Sequence, residues 1–429
     1  MKYTTLLKNR NFVALWLGQI ISEFGDRLNQ MALVASVYYN MQGASVFRLV
    51  LILSFTIIPV FLIGPVAGVY IDRWDRKQAM IVCDILRALL VLLIPFFLIN
   101  MKMFFPIYIV VFCIFSVTRF FLPAKLGLIP DIVSPQNLLL ANSLTATSRL
   151  IATVLGLGLG GIIVAIVGVR SGFYIDSATY LASAFAILLI KVPRKSQAIK
   201  ESILVHGKRI KDIEKTIFRD IAHSIRYIIH QKEIPYIMKT FFILMSGAGL
   251  IYVIFIDFIM KNIVTSPQII EHLQRFIGFG QFGFIIILMG LGALAGALIF
   301  PKIGGRVSRV RAISAGFALS GLFLLVFSYA TLLFKNFWIT AILSIFLGMS
   351  AAPIMVVANT LFHEVTRNEM RGRIFSTLEI VIHLGFLACM FLSMFLVSVL
   401  KIPDVQILAS AGLFFFIYGI AGWAKHRST

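Results

Sequence analysis

The run Gly68-Val-Tyr-Ile-Asp72-Arg73-Trp-Asp-Arg76-Lys77 lies between two long apolar stretches of the chain, and it decides the fold prediction. Gly68 has no side chain, so a helix that carries it can pack closely against a neighbour. Asp72 is an acceptor that can cap a neighbouring helix at its N-terminus, where the helix dipole is positive. Arg73, Arg76 and Lys77 place positive charge beside the membrane, which is typical of cytoplasmic loops. These five residues therefore predict a cytoplasmic motif between two membrane-spanning helices.

The composition of the whole chain indicates an integral membrane protein. Of its 429 residues, 59% are hydrophobic and 13% are charged, and the mean hydropathy is +0.95. Soluble domains carry about 25% charged residues. The formal net charge of +21 does not indicate nucleic-acid binding, because the basic residues fall in segments between apolar runs. We expect the chain to be surrounded by membrane lipids and to have no nucleic-acid partner.

Apolar stretches recur along the chain, and each is long enough to cross about 30 Å of hydrocarbon as a helix. They lie near residues 11–36, 46–70, 77–99, 104–127, 138–167, 171–191, 235–260, 280–300, 309–333, 336–361, 372–398 and 404–424. All must be helical, since lipid offers no partner for unpaired backbone groups. The predicted fold is an all-α membrane protein with twelve transmembrane helices in two pseudo-symmetric six-helix bundles. We predict bundles at 1–191 and 235–429, separated by a cytoplasmic linker at 192–234.

Lysine and arginine are distributed unevenly between the segments that join the spans. With the N-terminus inside, the inner segments hold 27 of these residues and the outer segments hold 7. Positive residues favour the cytoplasmic side, so the sequence predicts that both termini are cytoplasmic. We expect a multi-pass protein of the bacterial inner membrane.

The linker at 192–234 is the only long polar stretch of the sequence. Within it, isoleucines recur every three or four residues from Ile210 to Ile228, between charged residues. This pattern predicts an amphipathic helix in the headgroup region of the membrane. A regulatory or partner-docking role for the linker is left open.

A faint internal repeat supports two related halves. The stretch from Gly296 to Arg306 ends the eighth span as the stretch from Gly68 to Arg76 ends the second, although it lacks the acidic residue. Its position fits a transporter built from two related halves.

The sequence carries no pattern of a catalytic or metal centre. Cys83, Cys113 and Cys389 all lie in apolar stretches, and no pair has metal-ligand or redox spacing. The Gly-x-Ser-x-Gly motif and the phosphate-binding Gly-x-x-x-x-Gly-Lys-Ser/Thr loop are absent. We therefore expect no enzymatic activity, no cofactor and no bound metal.

Three further stretches carry a family resemblance. They are Pro123-Ala124-Lys125-Leu-Gly-Leu-Ile129-Pro130-Asp131, Phe173-Tyr-Ile-Asp176-Ser177-Ala-Thr-Tyr-Leu181 and Arg371-Gly372-Arg373-Ile-Phe375-Ser376. The run at 68–77 is typical of the major facilitator superfamily. With Gly25-Asp26-Arg27, the three stretches resemble the drug:proton antiporter branch of that superfamily, which includes the macrolide-efflux proteins. The Pro123-Ala124-Lys125 form is also similar to the bacterial lysophospholipid transporter.

The resemblance implies a secondary transporter that works by alternating access around a central site. It implies proton-coupled efflux of amphiphilic or hydrophobic small molecules, with that substrate and protons as partners. The alternative that it leaves open is a transporter of lysophospholipid or other lipid in the inner membrane. We expect the transporter to act as a monomer.

The first span carries a polar stripe, which we define as Gln19, Glu23, Asp26, Arg27 and Gln30. Spacings of three, four and seven residues put these side chains along one helix face. Ionisable groups inside a membrane cost at least about 2.5–3.5 kcal/mol each, so they indicate a functional site. We predict that Glu23 or Asp26 binds the coupling proton, with Gln19, Arg27 and Gln30 in the substrate cavity. The alternative is a structural pair between Glu23 and Arg27 at i,i+4.

Ionisable residues in three other spans extend this prediction. By the resemblance, Arg119 is a substrate-cavity candidate, and its alternative role is at a gate or as the partner of Asp131. Asp131 and Arg149 are assigned to the cytoplasmic gate motif. Glu379 and His383 share a face at i,i+4, and a histidine can change charge near neutral pH. We name both as proton-coupling candidates, with a packing pair as the alternative.

Two more spans hold charges within apolar sequence. Asp84 and Arg87 lie three residues apart in the third span, and this spacing predicts an internal ion pair. Asp257, towards the outer end of the seventh span, is interpreted as an outer-gate residue.

Overall fold

The structure is a computed structural model, and it describes residues 6–39, 46–71, 74–98, 103–192, 234–263, 271–304, 308–365 and 371–425. Within these ranges the chain is almost entirely helical and contains no β-strand. The predicted linker helix at 210–228 lies outside the described residues. So do the motif residues Asp72 and Arg73.

Thirteen α-helices make up the described part of the chain. The first seven are α1 (Arg10–Tyr39), α2 (Val46–Leu62), α3 (Gly64–Ile71), α4 (Arg76–Phe96), α5 (Phe105–Ile132), α6 (Leu138–Val167) and α7 (Val169–Leu188). The other six are α8 (Ile234–Ile263), α9 (Glu271–Gly304), α10 (Arg309–Phe334), α11 (Phe337–Val365), α12 (Arg371–Ser398) and α13 (Asp404–Lys425). Because α2 and α3 together form the second span, these helices make twelve spans. The predicted all-α transmembrane fold is confirmed.

Two helices extend at least five residues past one end of the apolar stretches that predict them. The fourth span was expected to end at 127, and α5 continues to Ile132. The eighth span was expected to begin at 280, and α9 begins at Glu271. Hydropathy marks where the apolar sequence ends, whereas backbone hydrogen bonds let a helix continue past that border.

The second span is interrupted at Ile63, between α2 and α3. Pro59 lies inside α2, and its carbonyl accepts from the backbone N–H of Ile63 at 3.0 Å. Pro65 has no backbone N–H, so it cannot donate to the turn before it. A new helix therefore starts after Ile63, whose carbonyl accepts from the N–H of Ala67 at 2.8 Å.

Nine of the described helical segments are long and apolar enough to cross a membrane by composition. Among the described helices, the spans outside this group are the divided second span, α1 and α7. α1 holds Glu23, Asp26 and Arg27, and α7 holds Asp176 among serine, threonine and tyrosine side chains. Polar side chains thus keep α1 and α7 outside this group.

The chain divides into two compact units. Unit 1 consists of Met1–Ser36 and Leu51–Ile217, and unit 2 consists of Val37–Val50 and Phe218–Thr429. Each unit has its own hydrophobic core of buried side chains. The core of unit 1 includes Phe12, Met80, Phe121, Leu128 and Ile187, and the core of unit 2 includes Phe241, Phe317, Ile354, Phe362 and Phe415.

Candidate functional site

In unit 1, α1 approaches α7 closely at Gly25. A Cβ atom placed on Gly25 would lie 2.0 Å from Thr179 Oγ1 and 2.6 Å from Asp176 Oδ1. A larger residue would clash with both side chains, so glycine allows the two helix backbones to come together. The close approach brings the polar side chains of α1 against the polar face of α7.

Two side chains that follow Gly25 form hydrogen bonds with α7. The carboxylate of Asp26 accepts from the hydroxyl of Tyr180. Asn29 Nδ2 donates to Asp176 Oδ2 at 2.6 Å, and Asp176 is fully buried. Asp26 therefore lies on the side of α1 that faces α7.

Arg87 of α4 lies beside these groups and is almost completely buried. Its guanidinium forms an ion pair with Asp84 one helical turn earlier, as the sequence predicts. The rings of Phe121 and Tyr180 flank the guanidinium, with centroids 4.3 and 4.4 Å from Arg87 Cζ. A cation between two aromatic faces is stabilised by both ring quadrupoles. Tyr180 thus contacts both Arg87 and Asp26.

We call Asp26, Asp84, Arg87, Asp176 and Tyr180 the carboxylate cluster. Asp26 lies close enough to interact electrostatically with both Asp84 and Asp176. Asp84 and Asp176 have no exposed surface, whereas Asp26 is half-buried. When fully ionised, the cluster contains three carboxylates and one guanidinium. The cluster thus holds more acidic than basic groups inside the membrane, which makes it a functional candidate.

Glu23 faces a different neighbour from Asp26. Its Oε1 atom accepts from Lys125 Nζ of α5 at 3.0 Å, and both side chains are largely buried. The alternative prediction, an i,i+4 pair between Glu23 and Arg27, is wrong. Glu23 pairs with Lys125 instead, and Arg27 Nη1 donates to Gln30 Oε1 at 3.1 Å. The polar stripe of α1 is therefore divided between contacts to α5 and contacts to α7.

The remaining substrate-cavity candidates lie on α1 and α5. Gln19 is buried, and Arg27 and Gln30 are half-buried. Arg119 of α5 has its Nε atom buried. Arg149 of α6 interacts electrostatically with Lys125. These positions do not assign a substrate contact, so the cavity roles stay predictions.

The described part of the motif at 68–77 ties α4 to two other helices. Arg76 Nη1 donates to the Gly127 carbonyl and to Asp131 Oδ2, both at 2.8 Å. Lys77 Nζ donates to the carbonyls of Leu188 and Ile190, at 2.9 and 2.7 Å, where α7 ends. A lysine at a helix C-terminus satisfies carbonyls that have no partner within the helix.

Unit 2 repeats the first of these contacts. Arg309, at the start of α10, forms a two-pronged ion pair with Glu364 near the end of α11, with one Nη2–Oε1 distance of 3.2 Å. The two residues are 55 positions apart, which is also the separation of Arg76 and Asp131. Part of the stretch predicted to repeat the motif, Gly296–Arg306, lies outside the described residues, so that repeat stays a prediction beside the matching ion pairs. The sequence contained a signal for both ion pairs. In each case a basic residue begins one span and an acidic residue lies near the end of the next.

The described helices form twelve spans, and an ion pair with the same sequence separation occurs once in each unit. A model of the Major Facilitator Superfamily matches residues 15–261 and 240–427. The chain belongs to the Major Facilitator Superfamily. It is therefore a multi-pass membrane transporter and not an enzyme.

Individual relatives of this superfamily member cover most of its length. It is 25% identical over 375 residues to the MFS-type transporter YkuC of Bacillus subtilis (strain 168), which covers 86% of this chain and 81% of that protein. It is 21% identical over 372 residues to macrolide efflux protein A of Streptococcus pyogenes, which covers 85% of this chain and 84% of that protein. The crystal structure of the nucleoside transporter NupG matches with a TM-score of 0.63 at 13% identity, over 97% of this chain and 99% of that one. This structural likeness concerns the fold alone.

The two proton-coupling candidates in unit 2 of the transporter share a face of α12, as predicted. His383 Nδ1 lies 2.7 Å from the backbone carbonyl of Glu379 and 3.8 Å from the carboxylate atom Oε2 of the same residue. The shorter contact is a hydrogen bond, whereas 3.8 Å is too long for one. Their proposed role in proton transfer stays a prediction.

At the other end of unit 2, Lys261 of α8 contacts two acidic residues. It forms an ion pair with Asp257 one turn earlier and a second, at 2.9 Å, with Asp404 at the start of α13. Asp257 is fully buried, so its charge is compensated by Lys261 and not by solvent. This contact connects α8 to α13.

Asp176 and Tyr180 are the candidate site residues that sequence reasoning did not assign a role. Both lie in the stretch that carries the family resemblance, in a span with little other charge. An acidic residue within an apolar span is a functional candidate by default, and that signal was available for Asp176. Tyr180 gave no such signal, since a tyrosine in a membrane helix is common. Among the described residues, no group of His, Cys, Asp and Glu has the arrangement of a metal site.

The ion pair between Arg76 and Asp131 gives a direct test of the motif geometry. We expect the Arg76→Asp and Asp131→Arg variants each to lower the melting temperature of the purified transporter. The double variant should recover most of the loss, because it restores opposite charges at the same distance. Since Arg76 is 38% exposed, the coupling free energy should be only about 0.5–1 kcal/mol.

A double-mutant cycle of thermal unfolding in detergent measures this coupling. The Arg309→Glu and Glu364→Arg cycle in unit 2 serves as the internal comparison, since it has the same sequence separation. A coupling energy of zero in the Arg76–Asp131 cycle would contradict the assigned contact.

Proposed function

We propose that this transporter exports an amphiphilic or hydrophobic small molecule from the bacterial cytoplasm in exchange for protons, by alternating access. Export is supported by the relative named macrolide efflux protein A, which matches over most of both chains. Location in the inner membrane with cytoplasmic termini is supported by the excess of lysine and arginine in the inner segments.

The observation that carries the proton-coupled part of the proposal is the carboxylate cluster of unit 1. Inside membrane-spanning helices, one carboxyl group forms an ion pair with a single guanidinium, and two others interact with it electrostatically. A group of this kind holds a proton when water is excluded and releases it when water enters, because hydration stabilises the ionised form. Coupling requires such a change in hydration between the two access states.

Asp26 is the member of the cluster that we assign to proton exchange. It is half-buried, whereas Asp84 and Asp176 have no exposed surface, so protons reach Asp26 most easily. Tyr180 donates a hydrogen bond to Asp26 and contacts Arg87. A change in the charge of Asp26 therefore changes the electrostatic environment of Arg87. Glu23 is the weaker candidate, because Lys125 already compensates its charge.

On the substrate side, Gln19, Arg27, Gln30 and Arg119 are proposed to line the path of the transported compound. Polar side chains at few positions within an apolar cavity orient an amphiphilic ligand without binding it too tightly for release. The compound itself is expected to carry a large apolar part. Lysophospholipid remains the alternative substrate, and the transport assay distinguishes the two.

Transport by proteoliposomes tests the proposal. Vesicles containing the purified full-length protein are prepared with an acidic lumen, and uptake of labelled erythromycin and labelled lysophosphatidylethanolamine is measured separately. Protons leaving the lumen should drive accumulation of the substrate inside. With a lumen about one pH unit more acidic than the outside, a one-to-one exchange gives a tenfold concentration ratio. We therefore expect erythromycin to accumulate about tenfold over protein-free vesicles.

Dissipating the gradient with nigericin should remove the accumulation but leave slow equilibration. Equal uptake with and without the gradient would contradict proton coupling. Accumulation of the lysophospholipid alone would replace the proposed substrate with the alternative one.

A further inference from the structure

A cavity of about 390 Å³ lies in unit 2 among α8, α12 and α13. α12 and α13 both pack on α8, and the cavity lies where these three helices meet. Small side chains form two of its walls, with Ser246 and Gly247 on α8 and Ser410 and Ala411 on α13. The volume is more than twice that of an engineered cavity of about 150 Å³ that binds benzene.

Gly247 sets the position of one wall. A Cβ atom placed there would lie 2.1 Å from Cζ of Phe415, so the ring of Phe415 rests directly on the backbone of α8. Phe242 and Phe414 line the cavity and are 42% and 55% exposed. Large exposed apolar side chains are favoured where they meet hydrocarbon and not water, so we place the mouth of the cavity beside Phe242 and Phe414, towards hydrocarbon.

The depth of the cavity follows from the helix bounds. Its α8 residues lie between 242 and 250, near the middle of Ile234–Ile263, and its α13 residues lie between 410 and 415, near the middle of Asp404–Lys425. A helix of about 20 residues crosses the hydrocarbon, so the middle of each helix lies near the bilayer midplane. At that depth, lipid tails are the most abundant neighbours.

The cavity wall is predominantly apolar, and its polar side chains are two serines, Ser246 and Ser410. No charged residue is among the described residues that line it. The hydroxyl of Ser410 donates to the Ile407 carbonyl at 2.9 Å. The Ser246 hydroxyl points to α12, since a Cβ atom on Gly385 would lie 2.5 Å from it. The Ser410 hydroxyl thus bonds within its own helix, and the Ser246 hydroxyl lies against α12.

We propose that this cavity binds the acyl chain of a membrane lipid. Protein interiors are close-packed, and an empty apolar space of this size loses the dispersion contacts of its lining atoms. An acyl chain entering past Phe414 restores those contacts without bringing a polar group to the midplane. The site lies within unit 2 and does not depend on the carboxylate cluster or on proton-coupled export.

Photo-crosslinking of the full-length protein in lipid nanodiscs tests the site. The nanodiscs contain phosphatidylglycerol with a diazirine near the methyl end of one acyl chain, and mass spectrometry quantifies the label on each helix. We expect label to be concentrated on the cavity-lining segments of α8 and α13. Ala411→Phe should lower the label on the α8 segment at least about tenfold, because the ring fills the cavity.

Leu413→Phe is the matched control, since Leu413 lies two residues away on the same helix, is 49% exposed and does not line the cavity. It should keep the wild-type label on α8 within about twofold. If Ala411→Phe does not fold, Ser246→Leu fills the cavity from the opposite wall.

Three outcomes would overturn the proposal. Label spread evenly over all lipid-facing helices would show no specific site, and unchanged label in a folded cavity-filling variant would place the lipid elsewhere. Loss of the label from the wild type when excess erythromycin is added would assign the cavity to the drug and not to the lipid.

Discussion

Asp26→Asn should abolish accumulation of substrate driven by a pH gradient, while the protein still folds and binds substrate. Asparagine keeps an oxygen that can accept the hydrogen bond from Tyr180, so the contact between α1 and α7 is preserved. It has no titratable carboxyl group, so the side chain at this position cannot exchange a proton between the two sides of the membrane. The accumulation ratio in proteoliposomes should fall by about tenfold, to the value without a gradient.

Substrate counterflow separates this effect from a general loss of activity. Exchange of labelled for unlabelled substrate at equal pH needs no net proton movement, so Asp26→Asn should retain it. Asp404→Asn is a suitable control, because it makes the same chemical change at a carboxylate of unit 2 that pairs with Lys261. It should leave gradient-driven accumulation close to that of the wild type.

Glu23→Gln examines the other candidate in the polar stripe. Its partner Lys125 would lose charge compensation, so we expect a less stable protein in which proton coupling persists. Full proton coupling in both Asp26→Asn and Glu23→Gln would contradict the assignment of proton coupling to α1.

Arg87→Leu should cause the largest loss of stability of any single change in unit 1. Arg87 is 2% exposed, and its partner Asp84 is completely buried. Removing one member of a buried ion pair leaves the other uncompensated and costs roughly 3–5 kcal/mol. The variant also loses the contacts of the guanidinium with the rings of Phe121 and Tyr180. We expect little folded protein to be recovered from the membrane.

Fluorescence-detected size exclusion and thermal unfolding in detergent measure this loss. The double variant Asp84→Leu/Arg87→Leu should recover part of it, because an apolar pair replaces a buried ion pair at little cost. Arg309→Leu is the matched control, since Arg309 is 54% exposed and its pair with Glu364 should contribute no more than about 1 kcal/mol. An Arg87→Leu protein as stable as the wild type would contradict the role of this ion pair.

Most of the architecture is predictable because insertion into a membrane is a local property of the sequence. A stretch of about 20 apolar residues must span as a helix wherever it lies in the chain. The break at Ile63 also has a local cause, since Pro65 lacks a backbone N–H. The i,i+3 pair of Asp84 and Arg87 is similarly predictable, because both partners lie on one turn of one helix.

The polar stripe of α1 shows where this reasoning stops. Its helical period predicts that Glu23 and Asp26 lie along one helix face, but it contains no information about which helix each side chain meets. Glu23 contacts Lys125, which is 102 residues away, and Asp26 contacts Tyr180, which is 154 residues away. The assumption of a local partner for Glu23 failed for this reason.

The sequence alone determined that this protein is a helical membrane transporter of a known superfamily, because hydropathy, charge asymmetry and short motifs are properties of neighbouring residues. Only the tertiary structure decided that Asp26 and Asp176 lie near the ion pair of Asp84 and Arg87. That arrangement depends on Gly25 bringing α1 against α7, and on α4 presenting Arg87 to both. Side chains on three helices interact only when those helices pack at the right depth and rotation, which a periodic pattern in one helix does not specify.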